Sequence, residues 1–271
     1  MLAKYATMLR ADLRLFWSGV RASWATYLVE LTPTVFFGFR IPRILLQSLF
    51  FVFLAKAAGG DQLARFAMIG NGIQIAVFMV MLSMEEVIES EKWNSTFQYL
   101  IAAPSSWFPS MLGKSASYFG DALIASTVSF AVLIPALHIQ ILPLDLLRAT
   151  PIILLIFISA SALGWSIGAF SLPIRYGYMI CNWFAYAMII FCGINIPTSA
   201  MPAWVQVIGN LLPVTHGLQA VRALIDGATY ASVWPLVGKE ILIALFYAAA
   251  AWLVFGYRMR VTRQNGNFEL V

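Results

Sequence analysis

Three groups of residues in this 271-residue chain have types and spacings that could do chemistry. Gly164-Trp165-Ser166-Ile167-Gly168 fits G-x-S-x-G, the pattern that presents a nucleophilic serine, and would suit an intramembrane serine protease. Such a serine needs a base within hydrogen-bond reach. The two histidines, His138 and His216, both fall outside the apolar runs, so no base is at hand. A simpler reading of the same residues is a ridge of small side chains, Ala160, Gly164 and Gly168, at four-residue spacing, against which another helix can pack closely. Glu85, Glu86, Glu89 and Glu91 could be mistaken for a carboxylate site. At the end of an apolar helix they are expected to be solvated or to meet a basic partner surface. A proton or ion pathway needs acids deeper in the membrane, and Asp121 is the one expected there. Cys181 and Cys192 share one apolar run, where eleven helical residues separate them by about 16 Å, beyond disulfide reach. The chain lacks G-x-x-x-x-G-K-[ST], H-E-x-x-H and C-x-x-C, so neither a P-loop nor a zinc site is expected.

The elements that must position these residues follow from composition. A hydrophobic fraction of 61%, a charged fraction of 11% and a mean hydropathy of +0.82 describe an all-α integral membrane protein. The apolar runs are continuous over some twenty residues and do not alternate, which excludes a barrel. Residues 1–30 place Leu9, Leu13, Phe16, Trp17 and Trp24 in helical phase with Arg10, Arg14 and Arg21 elsewhere, a basic amphipathic helix suited to the headgroup region. Six crossings follow. The first begins near Val35, and Gly59-Gly60-Asp61 turns the chain into the second, about Phe66–Ile88. The third runs about Ser110–Leu137, and its Lys114 and Asp121 call for mutual or inter-helix pairing. The fourth runs about Pro151–Leu172, the fifth about Tyr176–Asn195 and the sixth about Trp234–Tyr257. Between the last two, residues 195–233 are cut by Pro197, Pro202 and Pro213 into two short helices, Trp204–Leu211 and about Thr215–Ile225. With both termini cytosolic, every Lys and Arg except Lys56, Arg65, Arg148, Arg222 and Lys239 lies inside. The net charge of +5 is therefore a topology signal rather than a sign of nucleic-acid binding. A single transmembrane domain spans residues 1–271.

One stretch is neither apolar enough to cross a bilayer nor simple enough to be a turn. Glu89–Pro104, within a cytosolic segment 89–108, starts charged, becomes amphipathic and closes on Pro104. As a helix it sets Phe97, Leu100, Ile101 and Pro104 on one side, which describes a short helix at the membrane surface. A solvated connector is the plainer alternative. On the second crossing, Asn71, Gln74 and Phe78 form an inward stripe. With Tyr178, Asn182 and Tyr186 of the fifth crossing they make an amphipathic, aromatic path for a substrate.

Two motifs together resemble the membrane subunit of ABC exporters of the ABC-2 type. Glu91-Lys92, Ser95-Thr96, Leu100 and Pro104 match E-[RK]-x-x-G-T-x-x-x-L-x-x-x-P, with Ser95 where the family has glycine. Pro197, Pro202, Trp204, Pro213, His216 and Arg222 match P-x(4)-P-x-W-x(8)-P-x-x-H-x(5)-R before the last helix. The resemblance implies an amphipathic elbow helix, six crossings, a coupling helix around Glu89, Glu91 and Pro104, and outer re-entrant helices over Pro197–Arg222 that cap the exit. It further implies a bacterial inner-membrane permease that is not itself an enzyme. Two separate ABC ATPase subunits would bind ATP and Mg, and a second permease, identical or related, would complete the path. Related permeases move drugs, antibiotics, lipids, peptides or lipid-linked polysaccharides. The amphipathic path favours a hydrophobic or amphipathic compound, and glycan export is the alternative. A non-transporting scaffold, docked through Glu89–Pro104, is the reading from another class.

Overall fold

The computed structural model describes residues 2–94, 96, 98–99, 108–174 and 176–265, and among these every regular element is helical. Helix α1 covers Leu2–Glu30. Thr32 then caps a turn at Pro33–Val35, its Oγ1 accepting from the Val35 amide at 3.3 Å, and a π-turn at Phe36–Arg40 feeds helix α2, Ile41–Trp93. A straight helix of 53 residues would extend about 80 Å, more than twice the hydrocarbon core. It is broken at Gly59 (φ −148°, ψ 18°) and Gly60 (φ 69°, ψ −160°), the second in a region that glycine alone visits freely. The Arg43 guanidinium lies 5.9 Å from the centroid of the Phe78 ring, so the limbs 41–58 and 61–93 fold back on each other as a hairpin. The tight turn expected at Gly59-Gly60-Asp61 is therefore present.

The remaining helices are α3 (Phe108–Lys114), α4 (Ala116–Ala136), α5 (Pro143–Ser171), α6 (Gly177–Phe191), α7 (Ala203–Leu211), α8 (Thr215–Ile225) and α9 (Tyr230–Asn265). Among the described residues four helices are long and apolar enough to cross a bilayer, the first of them the hairpin within Pro33–Trp93; α6 is apolar but shorter. Counting both limbs of α2, six apolar helical segments stand among the described residues. Helix α5 starts earlier than Pro151 suggested, because Pro143 occupies its first turn and Pro151 sits inside it. An interior proline frees a carbonyl of the preceding turn, and apolar helices tolerate this when a neighbouring hydroxyl rearranges the bonding. The carbonyl that Pro151 frees is that of Leu147, and in the same turn Thr150 Oγ1 donates to the neighbouring Leu146 carbonyl at 3.0 Å.

The second limb of α2 is the centre of the bundle, packed by α4, α5 and α6, and Ala67, Met68, Ile73, Val77, Met81 and Met84 on it are wholly buried. The small-residue ridge on α5 does what its spacing predicts. A Cβ on Gly164 would come within 2.5 Å of the Met81 carbonyl, so only glycine allows this crossing. Helix α1 docks the same way onto α3, where a Cβ on Gly113 would meet the Phe16 carbonyl at 2.1 Å. Along the outside, Phe50, Phe53, Trp183, Leu242, Phe246 and Trp252 are exposed, the side-chain set that a bilayer solvates.

Candidate functional site

Three groups of polar residues punctuate the apolar bundle, and each joins helices that are distant in sequence. The first lies where α2 ends. Glu91 is buried; its Oε1 accepts from Lys114 Nζ at the end of α3, and its Oε2 accepts from Thr96 Oγ1 at 2.5 Å. The Thr96 amide returns to the Glu91 carbonyl at 3.0 Å, so the chain leaving α2 turns about Glu91. Lys92 Nζ donates to the Leu172 carbonyl just past α5, and Glu85 accepts from Ser171 Oγ at 3.3 Å. The expectation of four solvated acids is corrected here, since Glu85 and Glu91 are 3% and 6% exposed. Their donors sit on α5 and α3, where local sequence pattern gives no hint of them. Glu86 and Glu89 do face outward, and with Ser90, Trp93, Asn94 and Tyr178 they line a cleft of about 490 Å³. Of the coupling residues named from sequence, Ser95, Leu100 and Pro104 lie outside the described residues, as does most of the expected helix 97–104.

The second group rises from that cleft. Tyr178, Asn182 and Tyr186 recur at four-residue spacing on one face of α6. Tyr186 meets Phe78 edge to face at 5.6 Å between ring centroids, which brings together two residues predicted to share a path. Asn71 and Gln74 are more enclosed than a path lining requires, at 3% and 1% exposure. Asn71 Nδ2 donates to the Ala67 carbonyl at 2.8 Å and to Asn195 Oδ1 at 2.7 Å, whereas neither end of the Gln74 amide has a partner among the described residues. Asn195, at the end of the fifth apolar run, is a functional candidate that sequence reasoning passed over. Across the bundle, Asp121 pairs between helices rather than with Lys114. It accepts from Arg40 at 2.5 Å and from the Tyr27 hydroxyl at 2.9 Å, tying α1 and the π-turn to α4.

The third group holds the α7–α8 pair against the far end of the bundle. Pro197 and Pro202 precede a short 3₁₀ turn (Thr198–Ala200) and α7 respectively, fixing both starts, and Trp204 is exposed on α7. Arg222 on α8 is buried and donates to the carbonyls of Gly193 (2.8 Å), Ile194 (2.8 Å) and Phe66 (3.0 Å) while stacking over the Phe66 ring at 3.3 Å. Two of those carbonyls belong to the turn just past α6, close to the helix end where the dipole concentrates negative charge. Burial pushes the Arg222 pKa down to about 9, so it remains a cation at neutral pH. His216 Nε2 lies 3.3 Å from the Asn210 carbonyl, and Pro213 accepts from the Cys192 thiol at 3.4 Å. A residue that sequence reasoning missed completes this group. Glu240, in the third turn of α9 and wholly buried, accepts the amides of Val214 (2.8 Å) and Gly217 (2.9 Å) and the hydroxyl of Ser159 on α5. Asp121 is thus not the one acid at depth. A lone carboxylate inside an apolar run was itself the available signal.

Ser166 is buried on α5, while His138 sits in the turn after α4 and His216 on α8. No group of three or more candidate metal ligands occurs among the described residues. What the geometry offers is a helical body braced at both ends by buried polar clusters, with an aromatic and acidic cleft on one side. Comparison with curated proteins finds no match. The family model of the ABC-2 type transporter matches residues 7–225, from the second turn of α1 to the end of α8. The chain belongs to the ABC-2 type transporter family and is a membrane component of an ABC transporter.

Proposed function

We propose that this chain is the permease half of an ATP-driven exporter that moves a hydrophobic or amphipathic compound from the cytosol or inner leaflet. In this reading all six apolar segments cross a bacterial inner membrane and both termini are cytosolic. Two ABC ATPase subunits, which carry ATP and Mg, dock on the face that holds Glu89–Pro104, and a second permease subunit completes the path. The observation that carries the proposal is the bonding at Glu91. A segment expected to meet the ATPase is joined, through Thr96 and Lys114, to α2 and to the end of α3. A push on the segment would therefore reach two apolar helices as one rigid unit. Glu91 acts as an internal brace of the coupling segment, and Glu89, half-buried beside Glu85 on the cleft wall, is the acid turned toward the partner.

The substrate class is supported by the cleft bounded by Glu86, Glu89, Trp93 and Tyr178, which leads toward Asn182, Tyr186 and Phe78. Rings and carboxylates side by side suit a compound with an apolar body and a polar or cationic end. Pro197–Arg222 would cap the exit. The first test is a detergent pull-down of the tagged protein with identification of what co-purifies. A soluble ATPase whose activity depends on this subunit is expected; clean recovery with no ATPase would favour the scaffold reading. The second is Glu91→Ala, expected to keep insertion and ATP hydrolysis while transport is lost; wild-type transport would remove Glu91 from coupling.

A further inference from the structure

The elbow between α7 and α8 combines two features that the transporter reading leaves unused. Val214 has φ 83° and ψ −39°, inside the left-handed range that a β-branched side chain strongly disfavours. It is wholly buried, and its amide donates to Glu240. Glu240 in turn takes the Gly217 amide and the Ser159 hydroxyl, so one carboxylate from α9 holds the strained residue, the first turn of α8 and α5 together. A negative charge at a helix start is favourable in itself, and more so where no water competes. Gly217 is part of the same fit, since a Cβ there would come within 2.4 Å of Ile156 Cγ1 and push α8 off the carboxylate.

We infer that Glu240 is the latch of the outer segment and Val214 its hinge. The carboxylate holds Val214 in a conformation it would otherwise leave, and letting go of the Val214 and Gly217 amides allows the α7–α8 pair to swing from the end of the bundle. Glu240 is a positioning residue in this scheme and touches no substrate. The inference rests on the reading of Pro197–Arg222 as the cap of the exit.

The protein carries its own reporter. Cys192 is buried with its thiol on the Pro213 carbonyl, one residue before the hinge, while Cys181 is buried at a different level with its thiol on the Met81 carbonyl. Alkylation of both thiols by N-ethylmaleimide is followed by mass spectrometry on the intact permease in detergent. In Glu240→Gln, whose amide can satisfy one of the two backbone donors but not both, Cys192 should react about tenfold faster, the order set by one residue released from the left-handed region, with Cys181 unchanged. Adding Val214→Gly should restore protection of Cys192, because glycine holds that backbone without strain. A defect that was merely one of packing would not be rescued in this way. If Glu240→Gln fails to fold, Ser159→Ala removes a single donor and should raise Cys192 alkylation about threefold by the same reasoning. Unchanged Cys192 protection, or an equal rise at Cys181, overturns the latch. Since the thiol measurement needs neither ATPase nor substrate, its outcome is separate from that of the pull-down that tests the transporter itself.

Discussion

Lys114 and Glu91 form an ion pair across 23 residues of chain, with Glu91 almost wholly buried and the Lys114 side chain 34% exposed. The pair fixes where α3 ends relative to where α2 ends, and Thr96 occupies the second carboxylate oxygen, so both oxygens of Glu91 are satisfied. Buried acids of this kind are costly to orphan.

Removing one partner should therefore cost more than removing both. Lys114→Met leaves a buried carboxylate with Thr96 alone, while Glu91→Gln, Lys114→Met leaves neutral groups of similar size. Thermal unfolding in detergent should give a coupling of roughly 1–2 kcal/mol in a double-mutant cycle, a value reduced by the partial exposure of Lys114. Additive effects would show that the pair is no more than a surface contact.

Arg222 makes a different demand. Its planar fork reaches three carbonyls from two segments and lies flat on Phe66, a geometry that an ammonium cannot copy. Arg222→Lys should keep the charge and still lose at least roughly 2 kcal/mol, and Arg222→Met should lose more, both read as unfolding midpoints. A lysine variant as stable as the parent would mean that charge alone holds α8 to α6.

Much of this architecture was legible from sequence, and the reasons differ by element. The two short helices between the fifth and sixth apolar runs, expected at Trp204–Leu211 and Thr215–Ile225, are found at Ala203–Leu211 and Thr215–Ile225 because prolines at 202 and 213 mark their starts. Gly59-Gly60 marked the hairpin for a similar local reason. Pairings were harder. Asp121 was expected to need a partner, but Arg40 and Tyr27 lie 81 and 94 residues away, and nothing local selects them. Glu240 was passed over although it is an acid in an apolar run, since its partners are backbone amides, which carry no sequence signal. Glu85 and Glu91 seemed solvated because helix ends usually are, and only the packing of α3 and α5 buries them.

The ridge on α5 gives a steric prediction. Gly164→Ala places a methyl 2.5 Å from the Met81 carbonyl and 3.1 Å from Met84 Cβ, so backbone must shift between α5 and the central limb of α2. A loss of about 1–3 kcal/mol is expected, as for an overpacked core. Ser166→Ala, in the same G-x-S-x-G stretch, should leave transport unchanged, and loss of function there with normal folding would reopen a hydrolytic reading.

His216 supplies a pH dependence whose sign can be worked out. Burial lowers the pKa of its imidazole below the ordinary 6.5, against a smaller opposing pull from Glu240, so the folded protein favours the neutral ring. On unfolding the ring regains its ordinary value, and between the depressed pKa and about 6.5 the unfolded chain binds more protons than the folded one. The contribution of His216 is therefore fully present above about pH 6.5 and is lost as pH falls toward the depressed value. Its Nε2 sits by the Asn210 carbonyl, and its buried Nδ1 has no partner among the described residues, so protonation there would leave a charged donor unpaired. Unfolding midpoints measured from pH 7.5 down to 5 should fall by about 2 °C or more further in the parent than in His216→Gln, which cannot titrate. Parallel curves would show that the ring reaches water before it takes up the proton.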